Sequence, residues 1–224
     1  MGKDSPRASR RGRAPRRERH KRVLVVTGGV KTEPEYLAHI NTQVRSAGLA
    51  VQVAKSGKDP VRLVDEAIRR AHEEARQAKM AGDAANVFDE VWVMFDVDDF
   101  ANSIPEALAH AENAGVRCAM SNPCFELWLL WHVRDSAGHL ATKDAQQKAI
   151  AAGAATGHGG KAVGLSTIQG NYGAARARAE QARATHTAAG RVFPHDNPRS
   201  DVDLFIEYLI EAGKASRPDE TIHL

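Results

Sequence analysis

Short apolar runs rich in β-branched residues alternate along this chain with helix-start signals, and that alternation restricts the fold more than any other feature. Arg22-Val-Leu-Val-Val-Thr27 and Glu90-Val-Trp-Val-Met-Phe95 are almost continuously apolar, as strands covered on both faces of a parallel sheet must be. After the first, Gly28-Gly29-Val30-Lys31 predicts a tight turn. Thr32, three residues before Glu35 with Pro34 between them, predicts a capping-box helix to about Ala47, ended by Gly48. Val51-Gln-Val53 is a weaker second strand. Asp59-Pro60 starts a helix reaching roughly Met80, in which Val61, Val64, Ile68, Ala71 and Ala75 share one face. Ser103 with Glu106 repeats the capping pattern, Gly115 closes that helix, and residues 116–120 form another strand. Ser121-Asn122-Pro123 then caps a strongly apolar helix over residues 124–132. Strands and helices in this order predict an α/β fold, Rossmann-like, with a doubly wound and mostly parallel sheet.

The C-terminal third reads as helical. Residues 141–152 and 171–189 are rich in Ala, Arg and Gln, Ser200 caps a last helix over 201–212, Gly213 stops it, and the tail from Lys214 reads as frayed. Between the two Ala-rich stretches, Gly157-His-Gly-Gly-Lys161 lacks the full GxxxxGK[ST] pattern and follows no strand, so it reads as a mobile linker rather than a phosphate cradle. The expected organisation is a basic arm over 1–20, an α/β core over 21–135, a helical extension over 136–213 completing the same domain, and a tail over 214–224.

The formal net charge of +3 hides an asymmetry. Residues 1–22 carry ten Lys or Arg against Asp4 and Glu18, so a basic arm precedes a mildly acidic body. Residues 1–20 contain no Leu, Ile, Val, Phe, Tyr or Trp, which predicts a segment disordered on its own. Arg11, Arg13, Arg16 and Arg17 there suit salt-sensitive, sequence-independent contacts to phosphates; the plainer reading is a solvated tail. No run of 18 uncharged apolar residues occurs, so no membrane span is expected. The basic N-terminus has no apolar stretch behind it, unlike a secretory signal. Cys118 and Cys124 sit in apolar segments, which fits a reducing cytoplasm better than a disulfide framework or a zinc site.

Ligands of parallel sheets bind beyond the carboxyl ends of the strands. The run from Glu90 to Phe95 ends directly in Asp96-Val97-Asp98-Asp99. Alternation along an extended segment aims Asp96 and Asp98 the same way. Carboxylates so close repel unless a cation neutralises them, and oxygen ligands suit Mg²⁺ or Mn²⁺. The plain alternative is that these aspartates cap the next helix or face water. Lys31, near the first strand end, could hold a phosphate beside the metal. Glu126 has two readings: a charge that favours the positive end of its helix, or a further acid near the cluster. His132 follows six positions later, about 1.7 turns away, and is read as a structural histidine. Trp92, Trp128 and Trp131 are expected in the core.

Three segments resemble the motifs of RloB-like proteins: Val23-Leu-Val-Val-Thr-Gly-Gly-Val-Lys-Thr-Glu-Pro-Glu-Tyr36, Glu90-Val-Trp-Val-Met-Phe-Asp-Val-Asp-Asp99 and Ser121-Asn-Pro-Cys-Phe-Glu-Leu-Trp-Leu-Leu-Trp-His132. Asn197-Pro198 is similar to a weaker closing element, so the resemblance extends over about residues 21–212. It implies a TOPRIM-like core, in which a glutamate after the first strand and a DxD after a later one surround Mg²⁺. Asp96 and Asp98 match the DxD, and Glu33 matches the second acid of an EGxxTE-like opening. The first acid of that opening would fall at Gly28 and is absent, and Val30 also replaces an acid often seen there. The resemblance thus implies a Mg²⁺-dependent nuclease or nuclease-like component of bacterial antiphage (abortive infection) defence. In it, metal-activated water would attack a phosphodiester of DNA or RNA, with Glu33, Asp96 and Asp98 as metal ligands; Glu126 is added as a catalytic acid on its position directly after a parallel strand. A partner protein of the defence system is also implied. The alternative is a catalytically degenerate nucleic-acid-binding or sensing subunit, favoured by the missing acid and the basic arm. A phosphotransferase on a Rossmann-like sheet is disfavoured, because neither GxGxxG nor a P-loop is present.

Overall fold

A computed structural model describes residues 19–83, 86–136 and 138–224; the arm residues Arg11, Arg13, Arg16 and Arg17 lie outside them. The chain begins with β1 (Lys21–Thr27), α1 (Thr32–Val44), β2 (Leu49–Lys55), α2 (Pro60–Ala81), β3 (Glu90–Asp96), α3 (Ile104–Ala114), β4 (Arg117–Asn122) and α4 (Phe125–Trp131). It continues through α5 (Thr142–Ala151), β5 (Ala155–Thr156), β6 (Ala162–Val163), α6 (Leu165–Ile168), α7 (Tyr172–Ala188), β7 (Arg199–Ser200) and α8 (Val202–Ser216). The central sheet has the order β2-β1-β3-β4-β7. Its first four strands are parallel, and the two-residue β7 runs antiparallel to β4. The mixed α/β architecture with a mostly parallel, Rossmann-like sheet therefore agrees with the strand–helix alternation of the sequence.

The continuous apolar runs are explained by helices on both faces. Val23, Val25, Trp92 and Met94 point to one side, into a core shared with α1, α4, α7 and α8. Leu24, Val26, Val93 and Phe95 point to the other, against Leu63, Val64 and Ala67 of α2 and Ile104, Ala107 and Ala111 of α3. Each large side chain so buried contributes about 1.5–3 kcal/mol. The three tryptophans are fully buried, as expected.

The path through the sheet positions the site. From β1 the chain steps through α1 to β2 on one side, and α2 then carries it back to β3 on the other side of β1. Strand order thus reverses between β1 and β3, and the loops after these two strands diverge to opposite faces. A crevice opens between them at the carboxyl end of the sheet.

The helix-boundary signals at Asp59 and Gly115 hold. The Asp59 carboxylate accepts from the Arg62 backbone N–H at 3.2 Å with Pro60 in the first turn of α2, and Gly115 closes α3 in the left-handed conformation. Neither expected capping box forms. Thr32 is itself helical, preceded by Lys31, and Glu35 instead accepts from the Val163 backbone N–H at 3.0 Å. The Ser103 hydroxyl donates to the Phe100 carbonyl. Ser121 and Asn122 lie within β4 rather than capping α4; the Asn122 amide donates to Asp196 and accepts from Asn197.

Three readings of the C-terminal third are corrected. Gly213 does not stop α8, which runs to Ser216. A Cβ at Gly213 would lie 2.8 Å from Ile222 Cδ1 and 3.0 Å from Ala47 Cβ, so the glycine permits close packing inside the helix. The tail is not frayed, since Ile222 and Leu224 pack on the core. Residues 155–163 are not a linker but a small hairpin of β5 and β6, folded against α5 and α1. Among the described residues, no helix is long and apolar enough to cross a membrane.

Candidate active site at the sheet switch point

The crevice between the loops after β1 and β3 encloses about 370 Å³ and is lined by Glu33, Asp96, Asp98 and Glu126, with Lys31, Lys161 and Gln146. Three of the four acids come from successive parallel connections: Glu33 follows β1, Asp96 ends β3, and Glu126 follows β4. A larger and more apolar hollow of about 640 Å³ lies along α7. The acid on its wall, Asp135, is paired with Arg178. The smaller crevice is the one in which several acids converge.

Glu33 lies in the first turn of α1, with its carboxylate folded back over the preceding loop. Oε1 accepts from the Gly29 backbone N–H at 2.8 Å. A Cβ at Gly29 would fall 1.9 Å from Oε2, so the loop needs glycine there for Glu33 to hold this position. Burial pushes the carboxyl above its ordinary range; the Glu33 and Gly29 backbone N–H groups oppose that, Glu126 adds to it, and Lys161 counters it.

Asp96 stands at the last position of β3 and is held well above the usual carboxylate range. Burial is the main cause, followed by repulsion from Glu33, Glu126 and Asp98, with the Phe125 backbone N–H in opposition. Three neighbours raising one aspartate describe a site short of positive charge.

Asp98 reaches the crevice by a route the sequence did not predict. β3 ends at Asp96, so strand alternation does not apply. The Val97 and Asp98 backbone N–H groups donate to the carbonyls of Ser121 (2.9 Å) and Pro123 (3.1 Å), turning the chain toward the end of β4. Asp98 adopts φ 29° at the start of a 3₁₀ turn over Asp98–Phe100, and its carboxylate accepts from the Thr142 hydroxyl. It is exposed, whereas Glu33 and Glu126 are buried. The DxD spacing brings both aspartates to one crevice through a turn, not through the pleat.

Glu126 occupies the first turn of α4 and lines the crevice, and Lys161 Nζ stands 3.8 Å from its Oε1. Beside it, burial and then the charges of Asp96 and Glu126 push the Cys124 thiol strongly up, which keeps it protonated and unreactive. Lys161 is the site residue that sequence reasoning missed. It was visible as the end of Gly157-His-Gly-Gly-Lys161, but its place depends on the β5–β6 hairpin and on the bond from Val163 to Glu35 on α1. Lys31 lies at the exposed rim, immediately before α1. His132 is outside the crevice, as expected for a structural histidine. It is buried, Nδ1 is 2.9 Å from the Trp128 carbonyl, Nε2 is 3.4 Å from the Tyr36 hydroxyl, and burial pulls its pKa down to about 4.

Among the described residues, no three His, Cys, Asp or Glu side chains stand close enough to cage a metal ion by themselves. The donor chemistry nevertheless suits a hard cation. Four carboxylates line one crevice, and Mg²⁺ commonly binds through one or two carboxylates, completing its shell with waters and phosphate oxygens.

No curated protein and no solved structure gives a match to the chain. A family model described as RloB-like protein matches residues 23–209, from β1 through to α8, and so spans every strand-end loop and the hairpin that build the crevice. On that match the chain belongs to the family of RloB-like proteins.

Proposed function

We propose that this chain is a Mg²⁺- or Mn²⁺-dependent nuclease of TOPRIM-like type that cuts a nucleic-acid phosphodiester in antiphage defence. The observation that carries the reading is the convergence of Glu33, Asp96, Asp98 and Glu126 at the switch point of a parallel sheet, with Asp96 held above its usual range by burial first and then by the other three. The defence role and the TOPRIM-like type rest on the sequence resemblance. A divalent ion at this place supplies an acidified water and offsets charge on a phosphoryl group. Asp96 and Asp98 would hold it, with Glu33 or Glu126 as a further ligand. Lys31 at the rim and Lys161 at the crevice wall would grip backbone phosphates on either side.

A second reading has its own support. Gly28 stands where the first acid of the opening motif is expected, and the described acids do not close on a cage. A catalytically degenerate nucleic-acid-binding or sensing subunit would need neither. The two are separated by incubating full-length protein with single- and double-stranded DNA and with RNA, with Mg²⁺ or Mn²⁺, beside Asp96→Asn and Asp98→Asn. Divalent-dependent cleavage lost in both variants supports the nuclease. Binding that survives chelation and weakens steeply with salt, without cleavage of any substrate, supports the sensing subunit.

A further inference from the structure

We infer that Lys161 is an internal counter-ion of the acidic crevice, carried there on the β5–β6 hairpin, and that a divalent cation must compete with its ammonium group for the same carboxylates. The inference rests on the reading of the crevice as a cation site and adds what regulates entry to it.

Four acids lining a crevice of about 370 Å³ repel one another. Among the described residues, the ion pair that Glu126 makes is with Lys161, at 3.8 Å. The same lysine lines one crevice with Glu33, the acid on the β1 side. It therefore shares the crevice with two acids that a cation would recruit. At 3.8 Å the pair is an electrostatic contact rather than a tight hydrogen bond. The lysine side chain is also half-exposed, so water can take over its solvation if it leaves.

The carrier is a short, glycine-rich hairpin. Each strand of the hairpin is two residues long, and its turn includes Gly157, Gly159 and Gly160, all at positive φ, a conformation that costs other residues energy. It is tethered to α1 through the Val163 backbone N–H and the Glu35 carboxylate, and to its own base through Gly164 N–H and the Ala154 carbonyl. Lys161 lies between the glycine turn and the tethered strand. A phosphate entering the crevice offers the ammonium group a stronger partner, and Glu126 is then released toward the cation. Substrate phosphate and divalent ion would thereby favour each other's binding, as linkage requires.

The test uses Mn²⁺ as the probe, with free Mn²⁺ read by electron paramagnetic resonance on the full-length protein without nucleic acid. Wild type is compared with Lys161→Met, which keeps the stem and removes the charge, with Lys161→Arg, which restores it, and with Asp96→Asn. Lys161→Met is expected to bind Mn²⁺ about tenfold more tightly than wild type, because one like charge no longer opposes the ion. Lys161→Arg should stay near wild type, and Asp96→Asn should lose binding. If Lys161→Met binds Mn²⁺ equally or more weakly while Asp96→Asn still loses it, the counter-ion inference is overturned and the metal site stands. If no variant, wild type included, retains Mn²⁺ at millimolar concentration, the metal reading falls and this inference falls with it.

Discussion

Gly29→Ala displaces Glu33 without deleting it, which isolates the position of that carboxylate from its charge. The new Cβ would sit 1.9 Å from Oε2 and 2.1 Å from Oε1. The carboxylate must retreat by about 1.5 Å, the gap between 1.9 Å and the 3.4 Å at which ordinary contact begins. That breaks the 2.8 Å hydrogen bond from the Gly29 backbone N–H. A bond to a charged group is worth about 1.5–3 kcal/mol. Part of that returns as the displaced carboxylate regains water, leaving an expected loss of about 1–2 kcal/mol. The moving atoms are the far end of a flexible side chain, and the apolar residues of α1 are untouched, so the fold survives. Gly28→Ala is the control. Its Cβ would lie 3.5 Å from Phe95 Cβ and 3.6 Å from the Met94 carbonyl, in ordinary contact, so stability should shift by less than about 0.5 kcal/mol. Urea unfolding without divalent ions gives the stabilities, and Mn²⁺ titration gives the affinities. Gly29→Ala should lose about tenfold in Mn²⁺ affinity, about 1.4 kcal/mol, and Gly28→Ala should keep it. Equal behaviour of the two variants in both assays would refute the argument that Gly29 exists to seat Glu33.

Asp96→Asn should stabilise the divalent-free protein at neutral pH and lose that advantage in acid. A carboxyl raised in the folded state binds a proton there that the unfolded chain has released, so wild-type stability falls as pH rises through the window above the ordinary aspartate value; a variant less stable than wild type at pH 7 would contradict this. His132 acts in the opposite direction. Its folded value of about 4 against an ordinary 6.5 means that the unfolded chain gains the proton first, and about 3 kcal/mol of stability disappears as pH falls between the two. His132→Gln should flatten that acid limb in pH-dependent unfolding, and parallel limbs would show that the histidine is not responsible. Gly28→Glu restores an acid where contact is merely ordinary, and isothermal titration should show tighter Mg²⁺ binding; unchanged or weaker binding would place the new side chain outside the crevice.

What local pattern determined was the sheet and one half of the site. Val23 to Val26 and Val91 to Phe95 are apolar on both faces, and only a strand between two helical layers can bury such a run. Strand ends in a parallel sheet collect ligands, so Asp96 and Asp98 could be singled out from their positions alone, and Glu33 from the motif resemblance. The RloB-like motifs were legible for the same reason, being short segments at strand ends. Tertiary structure decided everything that depends on a partner distant in sequence. Glu35 left its capping box because Val163, 128 residues away, offered a backbone N–H. Asn122 joined β4 because Asp196 and Asn197 held its side chain. Gly213 sits inside a helix as a packing glycine, because Ala47 and Ile222 leave no room there for a side chain. Lys161 entered the crevice because a two-stranded hairpin docked on α1 and α5. Periodicity and capping signals report on neighbours within a few residues, whereas a charge placed by a hairpin 35 residues beyond the acid it faces becomes visible only when the chain has closed.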